Sequence, residues 1–184
     1  LRKNPTGLGS AKGWDMAAAG YAAVWATENT RQGIVDAIKR KEVYATTGPR
    51  ITVRFFGGYG FTDKDLKRTD FAKYGYQNGV PMGGDLVAAP DGKAPVFMVA
   101  VMKDAMGANL DRAQIVKGWT DAHGKAHERI FDVAVADGRK IDANGRCLTS
   151  VGNTVDLKTG KYKNSIGDTE LRTAWQDPDF DPSQ

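Results

Sequence analysis

The feature that most constrains this chain is the stretch Asn29–Phe56, NTRQGIVDAIKRKEVYATTGPRITVRFF, where helical periodicity gives way to strand periodicity. It predicts a helix over Asn29–Lys41 and a short strand over Val43–Thr46, which a Gly-Pro pair ends. Apolar and polar side chains then alternate, which predicts a second strand over Ile51–Phe56. A chain built around this stretch has one strong helix near its start, followed by β-structure.

The helix carries signals at its start, along one face and at its end. Asn29 can accept hydrogen bonds from the amides of the first turn, and Gln32 completes a capping-box pattern. The basic residues at positions 39–41 suit the negative end of the helix dipole. The apolar face, at helical spacing, is formed by Ile34, Val35 and Ile38.

After residue 85 the pattern becomes that of an antiparallel β-protein. Val96–Met102 is almost continuously apolar, as expected for a strand buried on both faces. Two further strands are predicted over Arg112–Trp119 and His127–Ala136, joined by a hairpin loop. A last hairpin is predicted from Thr154–Leu157 and Tyr162–Ser165. Together with the helix, these strands predict an α+β, mainly β fold, and the spacing of the turns fits a β-sandwich.

Three other segments carry weaker patterns. Residues 1–20 are rich in glycine and lack periodicity, which predicts a loop-like lead-in. The apolar run Tyr21–Trp25 predicts a strand or a buried connector. Residues 63–77 predict one or two irregular helical turns. The residues expected to face inwards in these turns are Leu66, Phe71 and Tyr74.

The composition limits the class of protein. The 184 residues, 41% hydrophobic and 26% charged, fit one ordinary domain, or one domain with part of another. The net charge of +4 comes from scattered basic residues rather than from a dense patch, so we do not expect nucleic-acid binding. No apolar run reaches the roughly 18 residues that a membrane-spanning helix needs. The single cysteine, Cys147, excludes an internal disulfide and a cysteine-rich metal cluster.

Two histidines resemble a metal-binding pair without fulfilling its requirements. His123 and His127 lie four residues apart, and Glu128 follows directly. This spacing brings two ligands together only on a helix, whereas Gly124 belongs to a predicted hairpin loop. We therefore expect a polar hairpin tip and no metal site.

Other suggestive residues also favour structural roles. Asp137, Asp142 and Asn144 do not fit the calcium-loop spacing, so ordinary turn chemistry is the preferred interpretation. The segment Gly118–Lys125 has the wrong spacing for a phosphate-binding loop and joins two strands. Cys147 lacks the histidine and carboxylate partners of a nucleophile motif. The residues alone therefore indicate neither catalytic groups nor a cofactor within this chain.

Several segments carry a resemblance to a known family. WATENTR at Trp25–Arg31, AIKR at Ala37–Arg40 and YATTGPRI at Tyr44–Ile51 come first along the chain. Further matches, in order along nearly the whole sequence, are Val80–Leu86, Gly107–Arg112, Ile115–Trp119, Val151–Asp156 and Asp177–Pro182. The chain resembles the C-terminal part of a bacterial family of unknown function that is related to the PHP (polymerase and histidinol phosphatase) metal-dependent hydrolases.

The resemblance implies a longer protein with an N-terminal PHP-like barrel. The His, Asp and Glu ligands of that barrel would hold divalent metals for hydrolysis, with phosphoesters as the expected substrates. Residues 1–50 would then be a lead-in plus the last helix and strand of the barrel. Residues 51–184 would form an immunoglobulin-like antiparallel β-sandwich that continues past Gln184. The resemblance implies a bacterial protein and leaves its compartment open, export included.

The same resemblance predicts where this chain meets its partners. The missing barrel domain would be the first partner, and the helix would have lost the surface against which it packs. Self-association is then expected through the exposed apolar face of Ile34, Val35 and Ile38.

Two functions follow as hypotheses. In the first, the chain is a non-catalytic accessory region of a metal-dependent hydrolase, and its residues nearest the substrate are Thr46, Thr47 and Arg50. Arg50 would contact an anionic substrate or pair with a carboxylate between domains. The alternative is a non-enzymatic β-sandwich module that binds glycans or protein partners, with tryptophans such as Trp119 as binding platforms.

Overall fold

The computed structural model describes residues 20–87 and 92–182. Within these ranges the chain forms strands, two α-helices and a short 3-10 turn at Asp65–Lys67. The elements in chain order are β1 (Tyr21–Val24), α1 (Arg31–Lys39), β2 (Val43–Thr46), β3 (Thr52–Gly58), α2 (Phe71–Asn78), β4 (Val80–Pro81), β5 (Val96–Met102), β6 (Arg112–Thr120), β7 (Ala126–Val135) and β8 (Glu170–Gln176). The predicted α+β, mainly β fold is confirmed. The lead-in predicted over residues 1–20 lies almost entirely outside the described residues.

The described strands pair into three antiparallel sheets. The largest has the order β4-β3-β5-β8, and the other two are the pairs β1-β2 and β6-β7. β5 pairs along its whole length with β3 on one side and with β8 on the other. It is therefore the central strand on which the largest sheet is built.

Both faces of the central sheet are covered. The β6-β7 hairpin packs on one face, where the buried core residues include Leu110, Phe131, Val133 and Leu171. The 3-10 turn and α2 cover the other face, where the buried residues are Phe56, Phe61, Phe71, Val96 and Met98. The continuous apolar sequence of β5 follows from this arrangement, because successive side chains point into different cores.

A row of aromatic rings joins the central sheet to the hairpin. The rings of Phe55 and Phe97 stack with centroids 5.3 Å apart, and Phe97 stacks on Trp175 at 6.1 Å. Trp175 in turn lies 5.0 Å from Phe131 on β7. Offset contacts of this kind stabilise beyond simple area burial, so Trp175 serves the core.

α1 is shorter than predicted, and its cap is different. Thr30, not Asn29, caps it: the Thr30 backbone is extended and its Oγ1 accepts from the Gly33 N–H at 3.0 Å. The predicted capping box is wrong, because the Gln32 amide donates to Asp36 Oδ1 at 2.8 Å instead.

The end of α1 is closed by a left-handed residue. Lys41 has φ +60°, its N–H donates to the Ile38 carbonyl, and the Glu42 N–H donates to the Ala37 carbonyl. This is the bonding of a Schellman cap, which satisfies the last free carbonyls of the helix. The buried residues of α1 are Gly33 and Ala37, whereas Val35 and Ile38 are 37% and 54% exposed.

The predicted last hairpin over residues 154–165 is wrong. Its turn is present, since the Asp156 N–H donates to the Lys161 carbonyl and the Gly160 N–H to the Asp156 carbonyl. The flanking segments form no strands, because they offer few apolar side chains to a core. The strand after this loop is β8, which the sequence analysis missed.

A buried carboxylate lies in the hairpin. Asp132 is 1% exposed and accepts from Arg112 Nη1 at 3.0 Å, from Gln114 Nε2 at 2.6 Å and from the Cys147 N–H at 2.6 Å. Burial alone would raise the pKa of Asp132. These hydrogen bonds, with the charges of Arg112 and Arg146, outweigh burial and lower the pKa.

Replacing Asp132 with alanine should lower the free energy of unfolding by about 3 kcal/mol near neutral pH, because Arg112 and the Cys147 amide lose a buried partner. The pKa of Asp132 is lower in the folded state than in the unfolded state. Its contribution to the free energy of unfolding is therefore present above the unfolded-state pKa and is lost as the pH falls through the folded-state pKa. Urea unfolding of wild type and variant should thus give free energies that converge in acid. The exposed Asp63→Ala is the control, and an equal loss in both variants would contradict the assignment.

Candidate functional site

The corner between β2 and β3 borders an apolar pocket of about 250 Å³. Its walls come from β1, β2 and the start of β3, and its two aromatic walls are Tyr21 and Tyr44. We call it the corner pocket. Its lining residues are Tyr21, Ala23, Tyr44, Thr46, Arg50, Ile51 and Thr52. Two of the three residues predicted from the resemblance, Thr46 and Arg50, therefore lie in one pocket, whereas Thr47 is exposed and does not line it.

Thr46 contributes a buried hydroxyl without a partner. Among the described residues, its Oγ1 is the one buried side-chain nitrogen or oxygen that makes no hydrogen bond. Thr46 is opposite Tyr21 in the β1-β2 register, so the strand pairing fixes its position. Leaving a buried hydroxyl unpaired costs about 1–3 kcal/mol. Thr46 thus lines the pocket, and its hydroxyl is a buried donor and acceptor that no described residue satisfies.

Arg50 contributes a guanidinium that pairs with no carboxylate of the described residues. Its carbon lies 5.3 Å from the Tyr21 ring centroid, a cation–π contact. The nearby carboxylate of Asp104 accepts instead from the Arg50 backbone N–H, at 2.6 Å, and from the Met106 N–H, at 2.8 Å. These backbone bonds lower the pKa of Asp104. They fix the corner, and the charge of the Arg50 side chain adds a smaller contribution to the lowered pKa of Asp104.

A second cluster lies where the β1-α1-β2 unit meets the central sheet. The Arg54 guanidinium carbon lies 3.3 Å from the centroid of the Trp25 ring, and Arg54 Nη1 donates to the Tyr76 hydroxyl at 3.1 Å. The Tyr76 hydroxyl donates to Glu42 Oε2, and Arg40 Nε pairs with Glu42 Oε1 at 2.7 Å. Burial, followed by the bond to Glu42, raises the pKa of Tyr76. We call these five residues the junction network.

The chain matches, over residues 1–184, the family model described as "Protein of unknown function (DUF3604)". The chain belongs to this family. No match was found among the curated proteins or among the solved structures. The prediction of a family of unknown function is thereby confirmed. Its relationship to the PHP hydrolases and its bacterial origin stay predictions.

The histidines of this DUF3604 chain occupy a hairpin tip, as expected. His127 Nε2 lies 2.8 Å from Asp121 Oδ2, and its ring stacks on Trp119 with centroids 5.3 Å apart. Asp121 also accepts from the backbone N–H groups of His123 and Lys125. Trp119 is half-buried with His127 across one ring face, so it offers a poorer platform than the alternative hypothesis requires.

The remaining suggestive residues take structural roles. Asp142 Oδ1 accepts from the N–H groups of Asn144 and Arg146, both at 2.9 Å, which is turn chemistry. Cys147 is buried. In the part of the chain that the structure describes, no three His, Cys, Asp or Glu residues lie close enough to hold a metal ion. Neither described helix is long and apolar enough to cross a membrane.

The sequence analysis missed the aromatic residues of both clusters. Tyr44 could have been assigned with Thr46 to one face of β2, because residues two apart in a strand point the same way. Trp25, Arg54 and Tyr76 gave no such signal, since their contacts join different elements of the fold.

Replacing Thr46 with valine should raise the free energy of unfolding by about 1 kcal/mol, because valine has the same shape and removes only the unpaired hydroxyl. The measurement is urea unfolding of the chain in the absence of ligand. Thr47→Val, at an exposed position outside the pocket, is the matched control and should change stability by less than about 0.5 kcal/mol. A clear loss of stability in Thr46→Val would mean that the hydroxyl already has a partner.

Proposed function

We propose that this DUF3604 chain is the C-terminal accessory region of a metal-dependent hydrolase, with phosphoesters as its substrates and with the catalytic metal ligands in another part of the protein. The corner pocket then lies at the edge of the substrate site. The observation that carries the proposal is that Thr46 and Arg50 line the same pocket. The Thr46 hydroxyl has no partner among the described residues, and the Arg50 guanidinium forms no ion pair with a described carboxylate. Guanidinium groups suit phosphate, because their planar fork matches two oxygens.

The small size of the β1-β2 sheet supports the proposal that a further domain packs against it. A two-stranded sheet alone is marginally stable in water, and the described residues give β1 and β2 no third strand. Val43 on β2 is also 40% exposed. We propose that β2 and α1 are the last elements of a PHP-like barrel. β1 runs antiparallel to β2, so it would be an addition to the barrel rather than one of its parallel strands.

The position of Thr46 supports a site at this end of β2. In barrels of parallel strands, catalytic and substrate-binding residues lie at the C-terminal ends of the strands. Thr46 is the last residue of β2, and Thr47 and Arg50 follow it. The four-stranded sheet with the β6-β7 hairpin on one face would belong to the appended immunoglobulin-like sandwich.

The expected metals do not fit the residues of the corner pocket. Divalent metals of hydrolases are bound by carboxylates, imidazoles and thiolates, and the pocket offers hydroxyls and a guanidinium. We therefore assign this chain no step at a metal. Its proposed roles are to bind the anionic group of the substrate through Arg50 and to orient it through the Thr46 hydroxyl.

In the protein that includes the barrel, Arg50→Ala should raise KM for a phosphoester by about tenfold or more, since a hydrogen bond to a charged group contributes about 1.5–3 kcal/mol. kcat should change less, because the proposed role of Arg50 is to bind the anionic group of the substrate and not to take part in the step at the metal. The measurement is steady-state kinetics with a chromogenic phosphodiester, with Thr47→Ala as the neighbouring control. Unchanged KM and kcat in Arg50→Ala would remove Arg50 from the substrate site.

The isolated chain should show no hydrolysis when manganese, zinc or iron is supplied. The reason is that the proposed nucleophile requires the metal ligands of the barrel. The assay uses the same chromogenic phosphodiester, with the protein containing the barrel as positive control. Metal-dependent turnover by the isolated chain that persists through repeated purification would contradict the proposal that the catalytic metal ligands lie in the barrel.

A further inference from the structure

A second cavity, of about 420 Å³, opens beside the junction network. We call it the junction cleft, and it shares no lining residue with the corner pocket. Its charged lining residues are Arg40, Glu42 and Arg54, so two guanidinium groups face one carboxylate. Its volume lies within the range of roughly 300–1,000 Å³ that is usual for small-molecule sites.

Arg54 has unused hydrogen-bonding capacity. A guanidinium carries five N–H donors in a fixed fork, and within the described residues that of Arg54 makes one hydrogen bond, to the Tyr76 hydroxyl. No carboxylate of the described residues lies within ion-pair distance of it. The Trp25 ring packs against one side of the guanidinium, whose central carbon lies 3.3 Å from the ring centroid. Arg54 is thus oriented but not neutralised.

Arg68 provides an internal comparison. Its guanidinium also lies over an aromatic ring, that of Tyr74, at 4.2 Å. Unlike Arg54, it pairs with both carboxylate oxygens of Asp70, at 2.9 and 3.1 Å. At Arg68, stacking on a ring and pairing with a carboxylate therefore occur together, whereas among the described residues Arg54 has only the stacking.

The carboxylate in the junction cleft is already engaged. Glu42 is 5% exposed, and its two oxygens accept from Arg40 Nε and from the Tyr76 hydroxyl. The three charged groups of the cleft sum to one positive charge, located at Arg54. A half-buried positive charge held in a cavity attracts an anion, and the planar fork favours one with two oxygens on the same face.

We propose that the junction cleft binds a small ligand through an oxyanion group, a phosphate, a sulfate or a carboxylate. Arg54 contacts two oxygens of that group, and Arg40, which is paired with Glu42, lines the same cleft. Trp25 fixes the orientation of the Arg54 fork. This site is independent of the proposed hydrolase function, because it involves neither the corner pocket nor a metal.

Binding should also stabilise the junction. Arg54 lies on β3, Tyr76 on α2, and Arg40 and Glu42 directly after α1. An anion held by Arg54 in a cleft that Arg40 also lines would therefore connect the β1-α1-β2 unit to the central sheet. A ligand that binds the folded state alone raises the melting temperature in proportion to the logarithm of its concentration.

The test is a titration of the chain with inorganic phosphate, sulfate and succinate, each against sodium chloride at equal ionic strength. Binding is followed by the NMR signal of the Arg54 Nε–H group and by the melting temperature. We expect saturable binding of at least one oxyanion, weakened about tenfold or more in Arg54→Met and unchanged in the matched control Arg68→Met. The probe that binds most tightly identifies phosphate, sulfate or carboxylate as the preferred group.

Two further variants separate binding from a purely structural role. Arg54→Lys keeps the charge and loses the fork, so affinity should fall several-fold while the fold is retained. Glu42→Gln removes the competing negative charge and should tighten binding several-fold, even though loss of an ion pair lowers stability. Failure of all three anions to saturate the wild type would overturn the proposal, as would equal affinities in wild type, Arg54→Met and Glu42→Gln.

Discussion

Burial of β5 on both faces is the constraint on which the rest of the fold depends. Met98 lies in the core under α2, while Val99 and Val101 face the β6-β7 side of the sheet. Each such side chain contributes about 1.5–3 kcal/mol when fully buried, which is realised only when both covering layers are in place. Burial of β5 therefore requires both α2 and the β6-β7 hairpin, although these two layers contribute to different cores. The alternation of β3 and β8 follows from pairing with β5, because their side chains must point into the same two layers.

The β1-α1-β2 unit is held by a different kind of interaction. Its joint to the central sheet combines aromatic, cationic and hydrogen-bonding contacts: the Trp25 indole donates to the Val53 carbonyl at 2.9 Å, and Arg54 lies across the same ring. Glu42 and Tyr76 extend this joint to α2. Polar contacts of this type are directional and depend on local charge, whereas apolar contacts mainly depend on area. The joint is thus the part of the fold whose geometry a bound anion can influence most directly.

Local patterns were sufficient for some elements and insufficient for others. β2 and β5 have the predicted bounds, because a turn signal ends the first and a continuous apolar run defines the second. β8 was missed although Leu171 and Trp175 lie on the same face of the strand. Its alternation is too short to predict a strand by itself, and its pairing with β5 is seen only in the structure. The helix cap moved to Thr30 because either Asn29 or Thr30 suits the position by residue type, and the backbone decides between them. Thr46 and Arg50 came from the family resemblance alone, and no local signal predicted the stacking of Arg54 on Trp25.

The buried polar atoms of Asp132, in the core of the fold, and of Thr46, in the candidate site, differ in whether they are hydrogen-bonded. Asp132 is fully enclosed, and side chains and a backbone amide satisfy its carboxylate. The described residues leave Thr46 Oγ1 unpaired, although a valine of equal shape would avoid the cost. Buried polar groups in folded proteins are nearly always satisfied, so an exception requires an explanation. The explanation that we favour is the corner pocket, which Thr46 lines together with Arg50, whose guanidinium forms no ion pair with a carboxylate of the described residues.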